Sequence, residues 1–241
     1  MQLFDYIKNL LIEASAKERL SIVYSHYNSV LGNKDLQEFL ARDENERVRM
    51  SIFMNTRNQN IISIGKDDNS VVIRTIVAER SMCPETLAFL AKDPSIAVRR
   101  IVAKNKFITT DTIEKITSDP SISVKYSLLE NPKEQCLESA YRSFIESNIS
   151  VLALKILEKR DLPRYVFDLI AENRKKLSAL VIQRMLAHSS APIEILEDFF
   201  DSNPDFVIKN RNLNSYTKDL LSMVIQAKKE GLNLSYSDLF K

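Results

Sequence analysis

The sequence predicts an all-α fold, a solenoid of helical repeats each about 25 residues long. Three observations predict it. Four windows in the middle of the chain align without gaps, starting at Arg42, Asp67, Lys92 and Ser118: RDENERVRMSIFMN, DDNSVVIRTIVAER, KDPSIAVRRIVAKN and SDPSISVKYSLLEN. Their aspartates, Asp43, Asp68, Asp93 and Asp119, are 25, 25 and 26 residues apart, and a fixed period of this length is the mark of stacked repeats. Apolar positions inside each window fall one helical turn apart. Glycine is scarce, at 3 residues in 241, whereas tight hairpins between strands draw on φ > 0 and hence on glycine.

Residues 1–35 read as an N-terminal cap, with two helices over residues 1–30. Leu3, Phe4, Ile7, Leu10 and Leu11 form one apolar stripe, and Leu20, Ile22, Val23, Tyr27 and Val30 form another. Stacked repeats need such end units to close their exposed apolar faces.

Residues 36–132 hold the clear repeats. Val48, Ile73, Val98 and Val124 lie five residues after the aspartates. Ile52, Val77, Val102 and Leu128 lie nine after, and Phe53, Ala78, Ala103 and Leu129 lie ten after. Positions 5 and 9 share a helix face, and position 10 widens the stripe enough to meet a core. Each aspartate, with Asp-Pro at 93–94 and 119–120, reads as the helix start, since a carboxylate caps free N–H groups and proline is tolerated in a first turn. A second apolar cluster precedes each aspartate: Leu36, Phe39 and Leu40; Ile61, Ile62 and Ile64; Leu87, Phe89 and Leu90; Ile113 and Ile116. Pro84-Glu85 and Thr110-Asp111 open helices here. Short polar links such as Asn105-Lys106 and Asn131-Pro132 separate the units.

A cation stands six residues after each aspartate: Arg49, Arg74, Arg99 and Lys125. A ladder of Asp–Arg contacts between successive repeats accounts for this register, since the planar guanidinium satisfies several acceptors at once.

Segments such as LAKDPSIAVRRIVAKN and KITSDPSISVKYSLLENP resemble the bacterial leucine-rich repeat variant (LRV) family, and more loosely HEAT repeats, over roughly residues 36–132. The resemblance implies a right-handed solenoid in which an α-helix alternates with a shorter, often 3₁₀, helix. The N-terminal cysteine cluster that holds an iron–sulfur centre in some LRV proteins has no counterpart, because no cysteine precedes Cys83.

Beyond Pro132 the register blurs while helical patterning continues. Residues 133–212 read as diverged repeats, with helices expected in CLESAYRSFIE, SVLALKILEK, RYVFDLIAEN, SALVIQRMLAH and PIEILEDFFDS. Asn203-Pro204 echoes the Asn131-Pro132 link. Residues 213–241 read as a final helix stopped at Gly231, followed by a tail. No Gly/Ser/Pro-rich linker divides the chain, so residues 1–241 are expected to form a single domain.

Chemistry is hard to place on this sequence. His26 and His188 lie in no metal-ligand spacing, and His188-Ser189-Ser190 reads as a turn rather than part of a nucleophilic site. Gly65-Lys66 lacks the upstream glycine of a phosphate loop. HEAT-like DNA glycosylases offer no residue-by-residue match, and the chain has no tryptophan. No catalytic residue, metal or cofactor is expected. Cys83 and Cys136 read as buried thiols of a reducing cytoplasm. The N-terminus lacks the basic and long apolar regions of a signal peptide, and no apolar run has the length of a membrane span.

The expectation is therefore a non-catalytic scaffold or adaptor that binds another protein on its concave face. The alternative is a nucleic-acid-binding solenoid using Arg99, Arg100, Lys104 and Lys106 together with Arg174, Lys175 and Lys176. A net charge of +2 and the absence of a basic row at two window positions rank it second. Those positions read Met50, Thr75, Arg100, Tyr126 and Met54, Glu79, Lys104, Glu130.

Overall fold

The computed structural model describes residues 3–133 and 137–232, with side chains from residue 6 onward. The only regular secondary structure among the described residues is helical, with no strand. Backbone contacts divide the chain into two compact units, Met1–Cys136 and Leu137–Lys241. The first ends four residues past Pro132, where the repeat register blurs.

Unit 1 runs α1 (Leu3–Glu13), α2 (Ala16–Ser25), α3 (Tyr27–Leu31), α4 (Lys34–Ala41), α5 (Glu46–Asn55), α6 (Gln59–Ile64), a 3₁₀ turn (Gly65–Asp67), α7 (Val71–Arg80), α8 (Pro84–Leu90), α9 (Ile96–Lys104), α10 (Thr110–Thr117) and α11 (Ile122–Leu128). Unit 2 runs α12 (Glu138–Glu146), α13 (Ser150–Ile156), α14 (Arg164–Glu172), α15 (Ala179–Ala187), α16 (Ile193–Phe200), α17 (Pro204–Val207) and α18 (Ser215–Lys229).

Packing in unit 1 follows the sequence period. Helices α5, α7, α9 and α11 lie side by side in chain order, and α4, α6, α8 and α10 pack against them. Window positions 5, 9 and 10 are all buried, with Val98, Val102 and Ala103 at 0% exposure. Burying each larger aliphatic side chain stabilises by about 1.5–3 kcal/mol. Unit 2 alternates in the same way: α12 neighbours α14 and α14 neighbours α16, while α13 neighbours α15 and α15 neighbours α17. Helix α18 ends as its sequence predicts, at Gly231 with φ of 83°. Leu232 N–H donates to Ala227 and Gly231 N–H to Lys228, the closure that glycine at this position permits.

The ladder forms. The Arg74 guanidinium grips Asp93 through Nε at 2.6 Å and Nη2 at 3.0 Å, and its Nη1 donates to the Asp68 carbonyl at 2.7 Å. Arg49 bridges Asp68 and the Asp43 carbonyl, and Arg99 bridges Asp119 and the Asp93 carbonyl, in the same geometry. Asp68 and Asp93 thus each take the arginine of the preceding repeat on the carboxylate and their own arginine on the backbone carbonyl. Arg19, buried in the cap, supplies the first rung to Asp43 at 2.6 Å. Lys125 makes no ion pair among the described residues, so the ladder stops at Asp119.

Several expectations need correction. The aspartates do not begin the helices. Each accepts the N–H two residues on (Asn45, Ser70, Ser95, Ser121) at 2.8 Å, and that residue is the helix N-cap. Pro94 and Pro120 therefore precede the caps rather than filling first turns. A carboxylate already gripped by arginine closes a side-chain turn instead of capping a helix. Phe89 is 50% exposed, with Lys66 Nζ 5.2 Å from its ring centre, and Leu10 and Tyr27 are also exposed. Cys83 is half-buried, because it sits at the α8 N-cap with its thiol donating to Glu85. Cys136, Leu3, Phe4 and the tail after residue 232 lie outside the described side chains.

Candidate functional site

The surface of unit 1 follows from how its helices begin. The aspartate turn fixes Ser70, Ser95 and Ser121 as N-caps, so Val71, Ile96 and Ile122 become the first residues of α7, α9 and α11. The buried Ile73, Val98 and Val124 lie two residues later, about 200° round the helix. The first residues must then face solvent. Val71 is 41% exposed, Ile96 47% and Ile122 49%. Since α7, α9 and α11 pack side by side in order, the three make an aliphatic row, one per repeat. Val72, 52% exposed, widens it. Glu46 occupies the equivalent place in α5 and ends the row.

The far ends of the same helices are polar. Lys104 pairs with Glu130 at 2.6 Å, and Glu79 is exposed in the last turn of α7. An apolar stripe beside paired charges resembles the core and rim of a protein interface.

The sequence-named basic residues have different partners. Arg99 is committed to Asp119, whose hydrogen bonds hold its guanidinium pKa above the ordinary value despite desolvation. Arg100 donates to Ser127 Oγ at 3.3 Å, Lys104 is paired with Glu130, and Lys106 stands 5.1 Å from the Phe107 ring centre. In unit 2, Arg174 bonds the carbonyl of Ala171 and lies 5.7 Å from the Phe199 ring, while Lys175 and Lys176 are exposed.

A second ladder, absent from the sequence reading, crosses the helix ends. Asn131 Nδ2 donates to the carbonyls of Ala103 and Asn105 at 2.7 and 3.0 Å, and its Oδ1 accepts from Lys133 N–H. Asn105 does the same to Ala78, Ser81 and Phe107. Asn210 plays this part in unit 2, binding the carbonyls of Leu186 and His188 and accepting from Asn212 N–H, so Asn210 rather than Asn203 matches Asn131. His188 replaces asparagine one repeat earlier. Its Nδ1 accepts from Ser190 N–H at 3.0 Å, which leaves Nε2 as the donor to the Lys159 carbonyl at 2.7 Å. Both nitrogens serve the backbone, and the ring has no free position for catalysis. Gly65 is likewise structural: a Cβ there would lie 2.8 Å from both Phe53 and Val77.

No group of His, Cys, Asp and Glu among the described residues is arranged to hold a metal ion. No described helix is long and apolar enough to cross a membrane. No protein-family model, curated relative or solved structure matches the chain significantly.

Proposed function

We propose that the chain is a non-catalytic, protein-binding scaffold of the cytoplasm, a right-handed α-solenoid of the LRV or HEAT-like kind. The observation that carries the reading is the row Val71, Ile96 and Ile122, exposed at 41–49% and repeated once per helix pair. Scattered exposed aliphatics are ordinary, but apolar residues aligned across a surface and rimmed by charge mark interaction sites. The ladder supports the solenoid part of the proposal, because Asp–Arg pairs that link each repeat only to the next suit a stack whose contacts are all between neighbours. The free thiol of Cys83 suits a reducing compartment.

We rank the nucleic-acid alternative second. Arg99 and Lys104 already carry carboxylate partners, and phosphate recognition needs cations free to release their counterions.

The test is a pull-down with the full chain as bait, with and without nuclease, beside an Ile96→Glu variant of unchanged melting temperature. A specific protein captured by the parent, resistant to nuclease and lost with the variant, is the expected result. Capture abolished by nuclease but indifferent to Ile96→Glu would replace the scaffold reading with the nucleic-acid one.

A further inference from the structure

Unit 2 contains a basic cavity that no part of the scaffold reading uses. Its volume is about 420 Å³, within the range of small-molecule sites, and Arg160, Arg184, Lys209 and Arg211 line it. These residues lie at or just past the C-terminal ends of three alternate helices that neighbour one another, α13, α15 and α17. Arg184 lies four residues before His188 and Lys209 one residue before Asn210, the two side chains of the second ladder in this unit. All four side chains are exposed, and none pairs with a carboxylate among the described residues. Glu158 is the acidic side chain in the lining, and Lys155 holds it at 2.7 Å. A chain of net charge +2 thus gathers four uncompensated cations around one hollow.

The backbone beneath them is fixed. Lys209 and Arg211 flank Asn210, whose side chain is tied to the carbonyls of Leu186 and His188. The Arg160 carbonyl accepts from Ser190 Oγ at 3.2 Å, next to the His188 bonds that lock the same turn. The second ladder thereby fixes the backbone from which Arg160, Lys209 and Arg211 project. A concave site lined by one sign of charge focuses its field on an incoming anion, and guanidinium groups match phosphate oxygens in pairs.

We infer that this cavity binds a small oligophosphate anion, either inorganic or the phosphate chain of a nucleotide. The four cations surround one hollow of about 420 Å³ rather than forming an extended track, which favours a compact ligand over a long polymer. The one aromatic ring in the lining, His188, is buried against Phe167 with both nitrogens bonded to backbone, so no exposed ring offers a platform for a base, and recognition rests on the phosphates. Inorganic tripolyphosphate and ATP should consequently bind alike.

The experiment is calorimetric titration of the full chain with tripolyphosphate and with ATP at low and physiological salt, alongside a labelled single-stranded oligonucleotide. Arg184→Glu and the milder Arg184→Ala are compared with Lys175→Glu, a charge reversal outside the cavity, after circular dichroism and melting show each variant folded. The expected result is saturable binding of both phosphates with similar affinity. It should weaken about tenfold in Arg184→Ala and further in Arg184→Glu, since charge-assisted hydrogen bonds are the strong ones, and stay unchanged in Lys175→Glu. No binding of either phosphate, ATP bound with tripolyphosphate rejected, equal weakening by Lys175→Glu, or an oligonucleotide bound in preference to both would each overturn the proposal.

Discussion

Replacing Asp93 dissects the ladder, because this residue performs two separable tasks. Its carboxylate receives Arg74 at 2.6 and 3.0 Å, and it also accepts the Ser95 N–H at 2.8 Å to close the turn before α9. The pair is largely buried, with side-chain exposures of 12% for Arg74 and 3% for Asp93. Removing one partner of a buried pair strands the other, at a cost of about 3 kcal/mol, and losing a turn-closing bond at a helix start adds about 1 kcal/mol. Asp93→Ala should then destabilise by about 4 kcal/mol. Asp93→Asn keeps the turn acceptor but loses the charge, so it should cost about 3 kcal/mol. Asp111→Ala, which removes the exposed partner of Lys115, should cost under about 0.5 kcal/mol. Urea denaturation followed by circular dichroism measures all three. A loss of less than about 0.5 kcal/mol in Asp93→Asn would refute the view that the ladder holds neighbouring repeats together.

Other consequences follow from the packing and the second ladder. Gly65→Ala should destabilise by about 1–3 kcal/mol, because its Cβ meets Phe53 and Val77; a melting temperature equal to the parent's would contradict that packing. His188→Ala removes the bonds to the Lys159 carbonyl and Ser190 N–H and should cost about 2 kcal/mol. His188→Asn restores the residue used at 105, 131 and 210 and should cost about 1 kcal/mol or less, mainly the edge contact with Phe167 at 5.4 Å. Equal losses in the two variants would remove the ladder role. Burial, with a smaller contribution from Glu138, pushes the Tyr165 phenol up to about 12. The folded state therefore keeps the proton that the unfolded chain releases near pH 10, and stability from this residue is full below pH 10 and lost as pH rises towards about 12. Tyr165→Phe should flatten that alkaline decline in melting temperature, and an unchanged decline would contradict it.

The fold was readable where residue identity and position carry one meaning. Val98, Val102 and Ala103 sit at spacings that only a helix face explains, and the register of Asp93 with Arg99 implied pairing between repeats. Sequence spacing could not show which way the pairing ran. Arg99 reaches forward to Asp119, and Arg19 joins from a cap outside the repeating windows. The helix starts were misplaced because Asp, Pro and Ser all suit caps and turns alike. Only the bond from Asp93 to Ser95 N–H settles which residue does which.

The candidate surface was half-visible. Val71, Ile96 and Ile122 stand aligned in the windows, but an aliphatic residue at a helix start reads as core until the facing of its neighbours is known. Phe89 misled in the same way, since an aromatic near two buried leucines was counted with them. The second ladder hid behind chemical variety, with His188 and Asn210 doing one job through different side chains. The basic cavity escaped because Arg160, Arg184 and Arg211 converge only when the ends of three helices are brought side by side.

Site-specific photo-crosslinking tests the central claim most directly. A benzophenone side chain is placed at Ile96, in the aliphatic row, or at Glu114, an exposed position on α10, and each full-length variant is irradiated in nuclease-treated native lysate. The account predicts a discrete protein adduct from position 96, absent from position 114 and suppressed by Val71→Glu with Ile122→Glu. Adducts of equal yield from both positions, or none from position 96 while the variant remains folded, would contradict it.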